Sequence, residues 1–170
     1  MRTFLRYLSI VVMLVIIFGA TLLFTPVGER PLTSLFAVGN IKAVDFAELN
    51  LPKETNWFLT CPPGFCGTSP HADSPVFDAP VERLRARWRE VIVTQPRVEL
   101  LAEHRDGWQF DFIQRSARFR FPDIITVRFI SDSPSRSTLA IYSRSIYGRS
   151  DFGVNRKRIE AWLTILHGDL

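Results

Sequence analysis

Ser143-Arg144-Ser145 and, after Gly148, the run Ser150-Asp151-Phe152-Gly153-Val154-Asn155-Arg156-Lys157-Arg158 gather arginines, serines and an aspartate in one stretch. It reads as a strand that passes through a polar, glycine-containing turn into a final helix. A helix start exposes unpaired N–H groups and positive dipole charge. Arg144, Arg156 and Arg158 near such a start need negative charge beside them. Asp111, Asp123 or Asp151 supplies it internally through charge-assisted hydrogen bonds. Alternatively a bound anion supplies it, with Ser143 and Ser145 as further contacts. Internal ion-pair networks are the commoner use of such residues, so both readings stand. Asp151 or Asn155 caps the helix, and Gly148, Ser150, Asp151, Gly153 and Asn155 form a structural motif.

Other chemistries find less support. A nucleophilic serine needs a base within reach, and none of His71, His104 and His167 accompanies a serine motif. No His/Cys/Asp/Glu set has metal-ligand spacing, and no glycine loop is built to cradle phosphates. No cofactor and no metal is expected. The net charge of +4 and pI near 9.5 permit anionic partners. Export and the alternation of aromatic residues into a core argue against nucleic acid.

Export is read from the N-terminus. Leu8 to Phe24 is almost unbroken apolar sequence. With its flanks it reaches the roughly 20 residues that cross a bilayer as a helix. Arg2 and Arg6 precede it and place the N-terminus in the cytoplasm. Phe18-Gly19-Ala20 and Pro26-Val27-Gly28 lack the small-residue spacing of a cleavage site, so an uncleaved anchor is expected. The expected organisation is an anchor over residues 1–27, a linker over 28–51 and an exported domain over 52–170. That makes a single-pass protein of the inner (cytoplasmic) membrane with its domain in the periplasm or outside.

Cys61-Pro62-Pro63-Gly64-Phe65-Cys66 holds both cysteines. In an exported domain such a pair forms a disulfide. A metal site would need more ligands, and a redox pair usually has the tighter C-x-x-C spacing.

These residues must be positioned by the rest of the chain. Thr25 to Leu51 shows little periodicity, with a brief strand at Ala43 to Leu49. Pro52 to Pro80 reads as irregular loop. Asp78 to Ile92 predicts a helix capped by Asp78, with Val81, Leu84, Trp88 and Val91 as its apolar stripe. Asp106-Gly107 between Arg97–Arg105 and Trp108–Arg115 predicts a hairpin with a type I′ turn. Ala117 to Phe121 continues extended, Pro122 and Asp123 interrupt, and strands follow at Ile124 to Ile130 and Leu139 to Ser145. The final helix ends near His167 and turns Ile159, Trp162, Leu163 and Leu166 inward. The sum is an α+β fold: an antiparallel sheet of four to five strands with two helices packed on one face, preceded by one transmembrane helix.

The pattern from Ser143 to Ile159 resembles the signature of the uncharacterised family called domain of unknown function 1499. Asn56-Trp57 leading into Cys61 to Cys66 resembles the start of its cysteine-bearing members, and Phe119 to Asp123 its Phe-Pro-Asp segment. The resemblance spans roughly Pro52 to Leu166 and implies no catalytic role for any residue. The function expected is therefore a membrane-anchored domain that binds an anionic envelope component, a lipid headgroup or phosphate-bearing ligand. Membrane lipid, an anionic small ligand or an envelope protein are its expected partners. The alternatives are a hydrolase acting on an envelope lipid or glycan, with Asp111, Asp123 or Asp151 as acid or base, and a structural module that docks another membrane protein.

Overall fold

The computed structural model describes residues 2–25, 29–104 and 106–169. The expected anchor-to-linker boundary at Val27 and Gly28 lies outside the described residues, as does Arg105. The apolar N-terminal run forms helix α1 (Arg2–Phe24), of which Thr3–Leu22 is long and apolar enough to cross a membrane. A short helix α2 (Glu29–Leu35) follows where no regular structure is expected.

The domain is a mixed six-stranded sheet. Strands β1 (Trp57–Cys61), β2 (Ala72–Asp73), β3 (Val98–Glu103), β4 (Gln109–Arg115), β5 (Pro122–Ser133) and β6 (Arg136–Ser145) lie in the order β2-β1-β6-β5-β4-β3. The expected sheet of four to five antiparallel strands is thus corrected in number and in direction. β2 pairs parallel with β1, Thr60 opposite Ala72, and every other pair is antiparallel. Both added strands lie in the segment expected as loop. Their backbone groups find partners that local sequence does not reveal: Phe58 stands opposite Ser143 of β6.

Four local expectations are also corrected. The segment at Ala43 to Leu49 is not a strand, because Asp45 Oδ1 accepts from Ala47 N at 2.9 Å and bends the chain there. Between β3 and β4 Gly107 has positive φ, +72°, and Asp106 does not, so Asp106-Gly107 is not a type I′ pair. Instead Gly107 N donates to His104 O, and Trp108 N donates to Asp106 Oδ1. Ala117 to Phe119 is a turn rather than a strand. Ser116 and Phe121 close it with two hydrogen bonds, and Arg120 takes φ +59°. β5 starts at Pro122 itself.

Helix α3 (Val81–Val93) begins after Pro80 with no side-chain cap, so Asp78 does not cap it. Helix α4 (Val154–Asp169) closes the chain. Both pack on one face of the sheet, where Leu84, Trp88, Ile159 and Trp162 share a buried cluster with Phe112, Val127 and Ile141. Trp88 meets Trp162 edge to face at 5.7 Å. The second face is covered by the connector: Phe46 buries itself against Leu59, Cys61, Ala140 and Tyr142, with Val44, Leu49 and Leu51 beside it. Cys61 and Cys66 form a disulfide, Cα–Cα 6.2 Å. Phe65 N returns to Pro62 O, with Gly64 at φ +75°. Proline then glycine at the two central positions is the composition of a type II turn.

Candidate functional site

The strand period of two decides where the motif's side chains go. On β6, Ser143 faces α4, while Tyr142 and Arg144 face the connector. The three arginines therefore do not converge.

Arg158, in the second turn of α4, is buried at 9% exposure. Its Nη2 meets Asp123 Oδ2 at 2.5 Å. Nε donates to Gln114 Oε1, and Nη1 donates to Ser143 Oγ at 2.8 Å and to Asn155 Oδ1 at 2.6 Å. Asn155, with no exposure at all, also accepts from Ser143 Oγ and donates to Asn56 O and Ser145 Oγ. Asn56 in turn donates to Ser145 O and Gly148 O. This network ties β1, β4, β5, β6 and α4 together. A buried charge persists only when it is paired and hydrogen-bonded on all sides, and Arg158 is.

Asp151 supports the same junction from the backbone. Its Oδ1 accepts from Gly153 N at 3.0 Å and its Oδ2 from Asn155 N at 2.7 Å. It fills the N-terminal capping role for α4, and the buried arginine's carboxylate is Asp123. Gly148 and Gly153 take positive φ, as does Phe152 at +54°. Ser150 bridges to Thr55, and Phe152 N donates to Ser150 Oγ at 3.4 Å. Arg156 is exposed, pairs with Glu160 at 2.8 Å and lies over the Phe58 ring at 5.8 Å.

Arg144 differs from both. It is partly buried and takes part in no ion pair among the described residues. One hydrogen bond of 3.3 Å runs from its Nη1 to Thr126 Oγ1, and its guanidinium stacks on the Tyr142 ring at 4.8 Å. Burial pulls the Arg144 pKa down, opposed by Tyr142 and Asp111, and burial raises that of Tyr142. Thr126 donates to Asp111 Oδ1 at 2.5 Å, and Asp111 Oδ2 lies 3.0 Å from His104 Nε2. A polar chain His104–Asp111–Thr126–Arg144 thus crosses the connector-side face. Its His104 end borders a cavity of about 430 Å³, beside Gln109, Phe46 and the Asp106–Arg128 ion pair.

The His104–Asp111 contact escapes a residue-by-residue search for serine partners. The hairpin register carries the signal, since Ala102 stands opposite Asp111 and brings His104 close to it. Among the described residues no group of three or more His, Cys, Asp or Glu side chains could hold a metal.

The sequence pattern of the family described as "Protein of unknown function (DUF1499)" matches residues 59–166. No curated protein and no solved structure matches the chain.

Proposed function

We propose that this chain, which belongs to the DUF1499 family, is a single-pass membrane-anchored domain that holds an anionic envelope component through Arg144. The observation that carries the reading is the guanidinium's spare capacity: a partly buried cation with one long hydrogen bond and no ion pair among the described residues. Burial disfavours its charge, and arginine stays protonated regardless. A phosphate or carboxylate arriving from outside would accept the unused N–H groups in bidentate fashion. The internal network absorbs Arg158, Ser143 and Asn155, and Glu160 meets Arg156, so the anion-binding role contracts onto Arg144. Residues 1–27 serve as the anchor, 28–51 as the linker and 52–170 as the domain.

Thermal melts of the full chain in detergent, with and without inorganic phosphate, test this. Phosphate at about a hundred times its Kd should stabilise the wild type by about 2.7 kcal/mol. Arg144→Met should keep or gain stability and lose the phosphate effect. Equal phosphate shifts in both proteins, or none in either, would refute the reading. For topology, a reporter fused after Leu170 should be active only if it requires export.

A second reading is hydrolysis of an envelope lipid or glycan at the cavity beside His104. It is favoured by the His104–Asp111 hydrogen bond, the geometry by which a carboxylate orients a histidine base. Hydrolysis of phosphoester or acyl-ester probes, abolished by His104→Gln, would support it over binding alone.

A further inference from the structure

Two loops at one end of the sheet expose apolar side chains. The β4–β5 loop carries Phe119 and Phe121, 47% and 38% exposed; the β6–α4 loop carries Ile146, Tyr147 and Phe152, the last 90% exposed. Phe152 also takes φ +54°, a conformation that bulky residues rarely adopt. A strained backbone that pushes a phenyl ring into water gains nothing from the core. The same loops carry Arg118, Arg120 and Arg149. Asp151 is the one carboxylate in the sequence of these two loops, which are therefore net basic.

The connector brings this end to the apolar helix. Phe36 packs on Phe121 at 4.5 Å and on Tyr147 at 5.4 Å. Tyr147 donates to Ala37 O, and Arg115 donates to Phe36 O. Phe36 follows α1's last residue, Phe24, by twelve positions, seven of them in α2. Such a tether spans at most about 30 Å. The opposite end of the sheet, the β5–β6 turn, lies a whole strand away, about 40 Å for the length of β5. The tether therefore cannot bring the end of α1 to that far turn, and the end that carries the exposed aromatics is the one to which Phe36 and Ala37 tie the chain leaving α1.

We infer that this loop end is a membrane-contact surface: Phe119, Phe121, Ile146, Tyr147 and Phe152 enter the interface of the bilayer that holds α1, and Arg118, Arg120 and Arg149 meet its anionic headgroups. Aromatic and apolar residues flanked by arginines are the composition of an interfacial binding face. The inference rests on α1 lying in a bilayer and is independent of the role of Arg144.

The native cysteines are bridged, so single cysteines introduced into the full chain accept a thiol-reactive, environment-sensitive fluorophore without reductant. Phe152→Cys, Phe119→Cys, Ser135→Cys at the far turn and Val12→Cys in α1 would be reconstituted in vesicles of phosphatidylcholine and phosphatidylglycerol. The expected result is a blue shift and quenching by nitroxide-bearing lipid at 12, 152 and 119, with neither at 135. Quenching at 12 with water-like emission at both 152 and 119 overturns the inference and leaves the anchor standing. No quenching at any position overturns both. Shielding at 152 and 119 without lipid quenching overturns it in favour of a protein contact.

Discussion

Arg158 Nη2 and Asp123 Oδ2 stand 2.5 Å apart, with side chains only 7% and 13% exposed. The pair joins α4 to the start of β5, and Gln114, Ser143 and Asn155 satisfy the rest of the guanidinium. Removing the carboxylate's charge leaves a buried cation uncompensated. Asp123→Asn should therefore lose about 3–5 kcal/mol. Arg158→Met should lose a similar amount, because it also strands Asn155 and Gln114. The double variant should lose clearly less than the two singles together. Denaturant unfolding of the four proteins measures this, and additive losses would show that the two groups do not act as a pair.

Asp151 should behave differently, since it meets backbone amides rather than an arginine. Asn caps nearly as well as Asp, so Asp151→Asn should be mild. Asp151→Ala should lose about 0.5–2 kcal/mol. Equal losses in the two variants would mean that the charge of Asp151 matters more than its hydrogen bonds.

Much of this architecture is legible in sequence where period and burial agree. Val81, Leu84, Trp88 and Val91 recur at helical spacing and are all buried. Phe110 and Phe112 alternate onto the helix-bearing face and do join the core. Even the parting of Arg144 from Ser143 follows from the strand period. The failures come from partners distant in sequence. The β1 segment sits among prolines and glycines, and pairing with β6, more than eighty residues later, makes it a strand. Val44, Phe46, Leu49 and Leu51 have no regular period, yet they cover a sheet face because the disulfide loop offers them a seat. Phe119 and Phe121 alternate as a core strand would, and they are exposed instead, because Arg120 in a left-handed conformation breaks the strand.

His71 offers a pH probe. Its ring stacks on Phe58 at 4.8 Å, and its Nδ1 accepts from Leu59 N at 3.2 Å. Burial lowers its pKa below the ordinary 6.5, and the nearby charge of Arg156 adds to this. The folded state thus favours neutral imidazole. His71's contribution to stability is present above the unfolded value and fades as pH falls through the lower folded one. Arg156→Gln should raise the His71 pKa only in part, because burial, the larger cause, remains. Imidazole proton shifts followed by NMR across pH 4 to 8 check this, the window being set by the ordinary histidine pKa of roughly 6.5. A His71 pKa unchanged by Arg156→Gln would remove the charge contribution.

The connector's seat on the second sheet face hinges on one glycine. Gly67 N donates to Phe46 O at 2.9 Å. A Cβ at Gly67 would stand 1.9 Å from Ala47 O and 2.8 Å from Ala47 C. These are backbone atoms, so no side-chain rotation relieves the clash. Gly67→Ala must push the connector away, lengthening the Gly67–Phe46 hydrogen bond and lifting Phe46 from Leu59 and Tyr142. The loss should be about 1–3 kcal/mol, as for other overpacked contacts. Gly39 lies in the same connector with nothing within 4 Å of its Cβ position. Gly39→Ala should stay within about 0.5 kcal/mol of wild type. Phe46→Ala should destabilise as Gly67→Ala does, and the pair should be less than additive, since both release the same contact. Denaturant melts of these variants decide it. If Gly67→Ala matches Gly39→Ala, the connector does not close over the sheet in solution.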